Sequence, residues 1–483
     1  MRGLACQEDA VYNMFMKKQR IKLLAMLLVL LMSPLFAQSY SRGAILDPDR
    51  YEQVASKPVL LMRNYTSLPR AVSLRQFSPI PENQGDYGTC VGWSTAFAAR
   101  TISESIAMNR TDRSQTSNSA FSAIYVYKSI TNDPSGQRGA CISDAMDLMK
   151  DNGIVRRLSS ERTLDFRRIA LSLFANEQRH KIADYVRLFD YPRGSVGTVN
   201  ERVPPVKKSL SEGKPVVIGM NTPDSFFGAK DLWEPTESPT RNHGGHAMCV
   251  IGYDDDKYGG AFEIQNSWGT DWGNNGYVWI RYRDFAAFVD EAYEIIENLA
   301  AYREATQYAA SIEIEVLNST SGMPVTFNPQ GFYRTRQSYP SGTEFKFLMT
   351  NKHPAYVYAF ASDTNNTGPT RIFPLLGYSP VLDYSDVSVA WPGEYEWIKM
   401  DEIVGTDYLV VLYSKEALDI NAIERRFAAT RGTFPERVAS AIGSDFIPFR
   451  NVQYSMGKME FNASSTNQKA VFGLLLAIEH RAR

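Results

Sequence analysis

The chain has 483 residues, 44% of them hydrophobic and 22% charged, with a formal net charge of −1. That mixture excludes a wholly disordered, collagen-like or coiled-coil chain, and at roughly 150 residues per domain it predicts about three units. The balanced charge leaves no basic excess to hold nucleic acid, and four cysteines (Cys6, Cys90, Cys141 and Cys249) are far too few for a disulfide scaffold.

At the N-terminus, Lys17, Lys18, Arg20 and Lys22 precede an apolar run over 23–32, which small residues then break before Ala37. A basic stretch, a short apolar core and a small residue predict a secretory signal peptide over 1–37, cut after Ala37, with Met14 or Met16 as the start of translation. The run is too short to span a bilayer, so the expectation is a secreted or periplasmic protein with no stable membrane span after signal removal. Losing Cys6 leaves three cysteines, so at least one thiol stays free or pairs between chains. Residues 38–67 read as a polar, irregular N-terminal extension.

From 68 to 300 the patterning is mixed. Residues 93–106 (WSTAFAARTISESI) read as a helix, 144–152 as a short amphipathic helix closed by Gly153, and 205–212 as a helix ended by Gly213. Strands are expected at 215–220, 247–253, 261–265 and 276–282. Asp254, Asp255 and Asp256 begin the turn between the second and third of these.

After about residue 300, short strands at 311–316, 345–349, 355–360, 370–374 and 407–413 alternate with turns. One helix is expected at 420–429 and a terminal core strand at 470–478. This predicts a second, mostly-β unit over 301–483, with the boundary between residues 294 and 310. Asp363, Asp383 and Asp386 form no dense ligand loop, so no metal is assigned.

Three short segments carry chemistry. In NQGDYGTC, Cys90 opens a helix after a glycine-containing loop, and the free N–H groups of a helix terminus favour a thiolate. Taken alone, Cys90 also fits a buried structural cysteine. In GGHAMCVIGYDDD, His246 opens a buried strand, whereas His243 precedes two glycines, which favours His246 as the rigidly placed imidazole. In QNSWGTDWGNNGYVWI, Asn266 sits at a strand end beneath tryptophans, where it can orient a histidine through a water-shielded hydrogen bond.

Together these segments resemble the papain-like cysteine peptidase family, in the order Cys, His, Asn and over about residues 68–295. NSWGTDWGNNGYVWI is the most specific match. The resemblance implies an α+β, two-lobed papain-like fold, with a helical lobe and a β-barrel-like lobe, followed by a mostly-β sandwich domain. It implies hydrolysis of peptide or protein substrates by Cys90, His246 and Asn266, with the Gln84 side chain and the Cys90 N–H as oxyanion donors, Trp268 as a shield, and Gly139 and Ala140 as a substrate-pairing strand. No cofactor is implied. The family's usual cysteine pattern is lost, because Tyr87, Thr89 and Val91 replace its first cysteine, its small residue and its aromatic. Cys141 and Cys249 are therefore expected to be unbridged. The 30 residues of 38–67 are too few for the family's longer prosegment, which leaves a short activation peptide as the most this stretch can supply. An inactive papain-fold binding protein and a Cys/His amidase or acyl transferase are the alternatives. Segments 331–334 (GFYR), 339–347 and 391–393 (WPG), with the following strand, resemble a bacterial β-sandwich accessory domain of unknown function over roughly 310–430, whose ligand the sequence does not identify.

Overall fold

The computed structural model describes residues 40–58, 67–297, 306–363, 369–384, 386–467 and 469–483. The signal-peptide reading of 1–37 and most of the interval expected to hold the domain boundary lie outside these residues.

The described residues of the 38–67 extension contain one regular element. Asp47 accepts hydrogen bonds from Asp49 N and Arg50 N, and Pro48 supplies the first helical position of α1 (Pro48–Gln53). The expectation of an irregular stretch missed this because six residues carry too little periodicity to register.

Helix α2 begins as Cys90–Gly92, widens to a π-helical stretch over Trp93–Arg100 and returns to α-geometry over Thr101–Ala107. π-Turns inside helices cluster at functional sites. Helices α3 (Ala123–Thr131) and α4 (Ile142–Asp151) pack beside it. The close approach of α2 to α3 depends on Gly92, whose added Cβ would collide with the Ala123 carbonyl oxygen.

Seven strands form one sheet: β1 (Ala71–Ser73), β2 (Asp184–Arg187), β3 (Val216–Asn221), β4 (Gly245–Asp254), β5 (Ala261–Gln265), β6 (Tyr277–Arg281) and β7 (Val289–Ile296). The order is β2-β7-β3-β4-β5-β6, with β1 pairing β4. All residues of β3 and β5 are buried, Glu263 and Gln265 of β5 included. Helix α5 runs from Val199 to Ser211, six residues ahead of its expected start. The Thr198–Glu201 capping box sets that start, and Pro204 and Pro205 lie inside the helix rather than at its beginning.

The C-terminal β domain holds two sheets. In one, β8 (Thr306–Val316) lies between β9 (Glu344–Asn351) and β12 (Met459–Ser465). In the other, β11 (Gly405–Ser414) lies between β10 (Ala355–Ser362) and β13 (Phe472–Arg481). Side chains of both sheets, among them Ile312, Phe347, Val357, Val411, Phe461 and Leu474, share one core. The apolar terminal run is thus an interior strand. The expected helix at 420–429 is present, and a second one follows at Phe434–Ile442, behind a Thr433–Glu436 capping box. Among the described residues no helix is long and apolar enough to cross a membrane.

Gly92→Ala should destabilise the chain by about 1–3 kcal/mol, the cost of forcing an extra carbon against fixed backbone. A lowered urea midpoint with an unchanged slope would register it.

Candidate active site

The N-terminus of α2, the start of β4 and the end of β5 converge on one point. Cys90 and His246 are fully buried there, and Asn266 nearly so. His246 faces Met220 across the β3–β4 ladder, so two interior strands hold its backbone. Its Nε2 lies 2.8 Å from Asn266 Oδ1. The same oxygen accepts the Ser267 N–H at 2.7 Å. A backbone N–H can only donate, so this bond fixes which end of the Asn266 amide faces the ring. Nε2 therefore carries the imidazole proton, and Nδ1, which has no hydrogen-bond partner, presents a lone pair. Trp268 stacks on His246 with ring centroids 4.6 Å apart and a 22° interplanar angle. Phe226, Phe227 and Trp272 extend this cover.

Gln84 is tied to the same loop. Its N–H donates to Ser267 O at 2.8 Å, and its Oε1 accepts from Ser267 Oγ at 2.6 Å. Its Nε2 donates to Tyr87 O at 2.7 Å. Ser267 thus aligns both Asn266 and Gln84. Nothing in the sequence singles it out beyond its place in the NSWG run.

His243 stands apart, with Nε2 2.8 Å from Ser238 O, and does not join Cys90. Cys90, Cys141 and Cys249 are all free and buried. Cys249 packs in the interior of β4.

The cleft is occupied by the chain itself. Residues 42–47 lie across it, and the backbone of Gly43 and of Ala247 comes close enough to the Cys90 thiol to temper its desolvation. Ala44 N donates to Gly245 O at 3.1 Å, Ile45 N to Ala140 O at 2.9 Å, and Ala140 N to Gly43 O at 2.9 Å. The edge formed by Gly139 and Ala140 does pair with an extended peptide, and that peptide is this segment, running parallel to it. Arg42 pairs with Asp224 at 3.1 Å and sits over the Phe227 ring at 4.9 Å. Leu46 reaches the surface of Gly219 and Gly245, beside Glu291. Glu291 Oε1 accepts the Asp47 N–H at 3.0 Å. Neither Gly43 nor Glu291 announces itself in the sequence, since one glycine in a polar stretch and one acid in a strand carry no chemical signature.

Burial under this segment sets the electrostatics. Desolvation pushes the Cys90 thiol up to about 11 and the His246 imidazole down to about 4. At neutral pH both are uncharged while the cleft is covered. Desolvation also holds the Glu291 carboxyl up at about 8.

Residues 68–296, a little under half of the chain, match the papain family cysteine protease model. A stretch of 108 residues is 31% identical to an uncharacterised peptidase C1-like protein of Acanthamoeba polyphaga mimivirus, covering 21% of this chain and 33% of that protein. Another of 75 residues is 33% identical to cathepsin K of Gallus gallus, covering 15% of this chain and 22% of that protein. The chain thus spans a third or less of these curated relatives. Xylellain, a cysteine protease from Xylella fastidiosa, is similar over 54% of this chain and 96% of its own, at 22% identity and a TM-score of 0.40.

A Cβ on residue 43 would collide with Gly88 O and lie 2.5 Å from Gly88 Cα, backbone atoms that cannot swing aside. Gly43→Ala should therefore loosen the covering segment. Alkylation of Cys90 by iodoacetamide, followed by mass spectrometry, should accelerate roughly 5- to 150-fold, the factor to which an overpacking cost of about 1–3 kcal/mol converts.

Proposed function

We propose that this chain is an exported cysteine peptidase that hydrolyses peptide bonds through Cys90, His246 and Asn266, and that residues 42–47 keep its cleft closed until they are displaced. The observation that carries this reading is the state of His246: Nε2 is bound to Asn266 and Nδ1 is left as a base without a hydrogen-bond partner among the described residues, on a strand that packs against the α2 terminus. Export is supported by the basic and apolar runs ahead of Ala37.

Once the segment leaves, water and the α2 N-terminus favour the charged pair, and Nδ1 takes the Sγ proton. The thiolate adds to the substrate carbonyl. The oxyanion is met by the Cys90 N–H and by Gln84 Nε2, whose direction the bonds to Ser267 and Tyr87 hold. His246 gives its proton to the leaving amine, which departs, and an acyl-thioester remains. The imidazole then takes a proton from water, whose oxygen attacks the acyl carbon. The acid leaves and the thiol is restored. Asn266 keeps Nε2 protonated throughout and so leaves Nδ1 to do the proton transfers. Trp268 excludes water from that hydrogen bond.

The test is hydrolysis of fluorogenic peptides by the chain freed of residues 42–47. Cys90→Ala should abolish turnover, and Gln84→Ala should lower kcat by about 10²–10³-fold with a smaller change in KM. A folded wild type that releases no product would overturn the reading.

The pocket that receives Leu46 has Glu291 beside it, which gives a second measurable outcome. A carboxyl with its pKa raised from 4.5 to about 8 is neutral below that value and charged above it. With the segment gone part of that desolvation is relieved, so the rate ratio for peptides presenting Arg rather than Leu to this pocket should rise as Glu291 ionises, at a lower pH than in the covered cleft. Glu291→Gln should flatten that ratio, while any pH dependence of the thiolate cancels from it.

A further inference from the structure

Residues 42–47 are followed by α1, and α1 by a strap over residues 54–58 that ends at the C-terminal domain. The strap is an extra strand wedged between two bodies. On one side Lys57 N donates to Arg187 O at 2.9 Å and Arg187 N to Ala55 O at 3.0 Å, which prolongs the peptidase sheet beyond its β2 edge. On the other side Ser56 N donates to Gly377 O at 2.7 Å and Ser379 N to Ser56 O at 2.9 Å. Both backbone faces of Ser56 and its neighbours are thus taken, one by each domain.

A buried charge cluster locks the strap in place. Lys57 Nζ lies 2.6 Å from each oxygen of Glu294 on β7 and 3.5 Å from Asp383 Oδ1 in the C-terminal domain. Lys214 Nζ lies 2.6 Å from Asp383 Oδ2 and 3.5 Å from Glu294 Oε1. Tyr384 closes the site, with its ring 4.3 Å from Lys57 Nζ and its hydroxyl donating to Pro58 O at 3.1 Å. Two lysines face Glu294 and Asp383 at the centre of this cluster, and Lys214 is shared further with Glu212 at 2.9 Å. Removing the strap removes one lysine and leaves Glu294 and Asp383, both nearly without solvent contact, sharing the other. An uncompensated buried carboxylate is strongly unfavourable, so the cluster resists departure of the strap more than its hydrogen bonds alone would.

We propose that the C-terminal β domain is a docking surface for the chain's own residues 54–58, and that this clamp holds the cleft-covering segment over Cys90. Residues 42–47 engage the cleft through main-chain pairing at Gly43, Ala44 and Ile45, the Asp47 N–H on Glu291 and the Arg42 pair with Asp224, and Gly43 offers no side chain to grip. Strap and cover are joined by the six residues of α1, so anchoring the first keeps the local concentration of the second high. The accessory domain acquires a role that needs no external ligand: it sets how firmly the cleft is closed.

The test uses the full chain carrying Cys90→Ala, so its outcome does not depend on peptidase activity. Hydrogen exchange by mass spectrometry reads the Ala44 and Ile45 amides, which are bonded to Gly245 and Ala140. Lys57→Met empties the cation from the cluster. Ser56→Pro removes the N–H that binds Gly377 and leaves the charges intact. Exchange at residues 44–45 is expected to quicken roughly 10- to 100-fold in both variants, the scale of a lost tether, while the strand Gly405–Ser414 keeps its protection. Unchanged exchange at 44–45 alongside rapid exchange at 54–58 would overturn the proposal, because the cover would then hold itself. If Lys57→Met also loosens Gly405–Ser414, Ser56→Pro decides the matter by the same two criteria.

Discussion

The hydrogen bond from His246 to Asn266 is the constraint around which the peptidase region is arranged. It sets the imidazole tautomer, and it survives only where water is kept out. Strand β4 supplies the histidine from the interior of the sheet, β5 delivers the asparagine at its end, and the Trp268 cluster roofs the pair. The same strand end also receives the covering segment, because Gly245 O accepts from Ala44 one residue before the histidine. Chemistry and its obstruction thus share one rigid edge, and a change to one must be accommodated by the other.

Closure in this molecule is mostly a backbone affair. Gly43 lies against Gly88 at a spacing no side chain permits, and the flanking residues engage the cleft by main-chain pairing. Such contacts are geometrically strict and individually modest. Side-chain charge enters at Arg42, which pairs with Asp224, and again further along, where Lys57 reaches a cluster drawn from β7 and the C-terminal domain. Buried ion pairs are weak evidence for stability in themselves, yet breaking one is costly. That asymmetry suits a latch better than a glue.

How much of this was legible in the sequence follows from the range of each interaction. Cys90, His246, Asn266 and Gln84 each lie in a short contiguous segment whose local composition carries the chemistry, and the structure brings all four together. Buried strands at 261–265 and the helix at 420–429 were legible for the same local reason. The start of α5 was not, because two prolines imitate a helix beginning and mask the capping box ahead of them. The covering segment and the clamp were not legible either. Lys57, Glu294 and Asp383 are hundreds of residues apart at the extremes, and no local pattern relates them. Glu291 lies outside the elements expected from the sequence, and only the fold sets it beside Leu46.

The burial of Cys90 also bears on how the chain endures storage. Oxidation to a sulfenic acid needs both a thiolate and an approach path for the oxidant. Under residues 42–47 the sulfur has neither, with no solvent exposure and a thiol held up at about 11. Cys141 and Cys249 are likewise buried and free. The three cysteines among the described residues are thus all shielded, and the shelf life of the Cys90 thiol in air becomes a property of the segment that covers it.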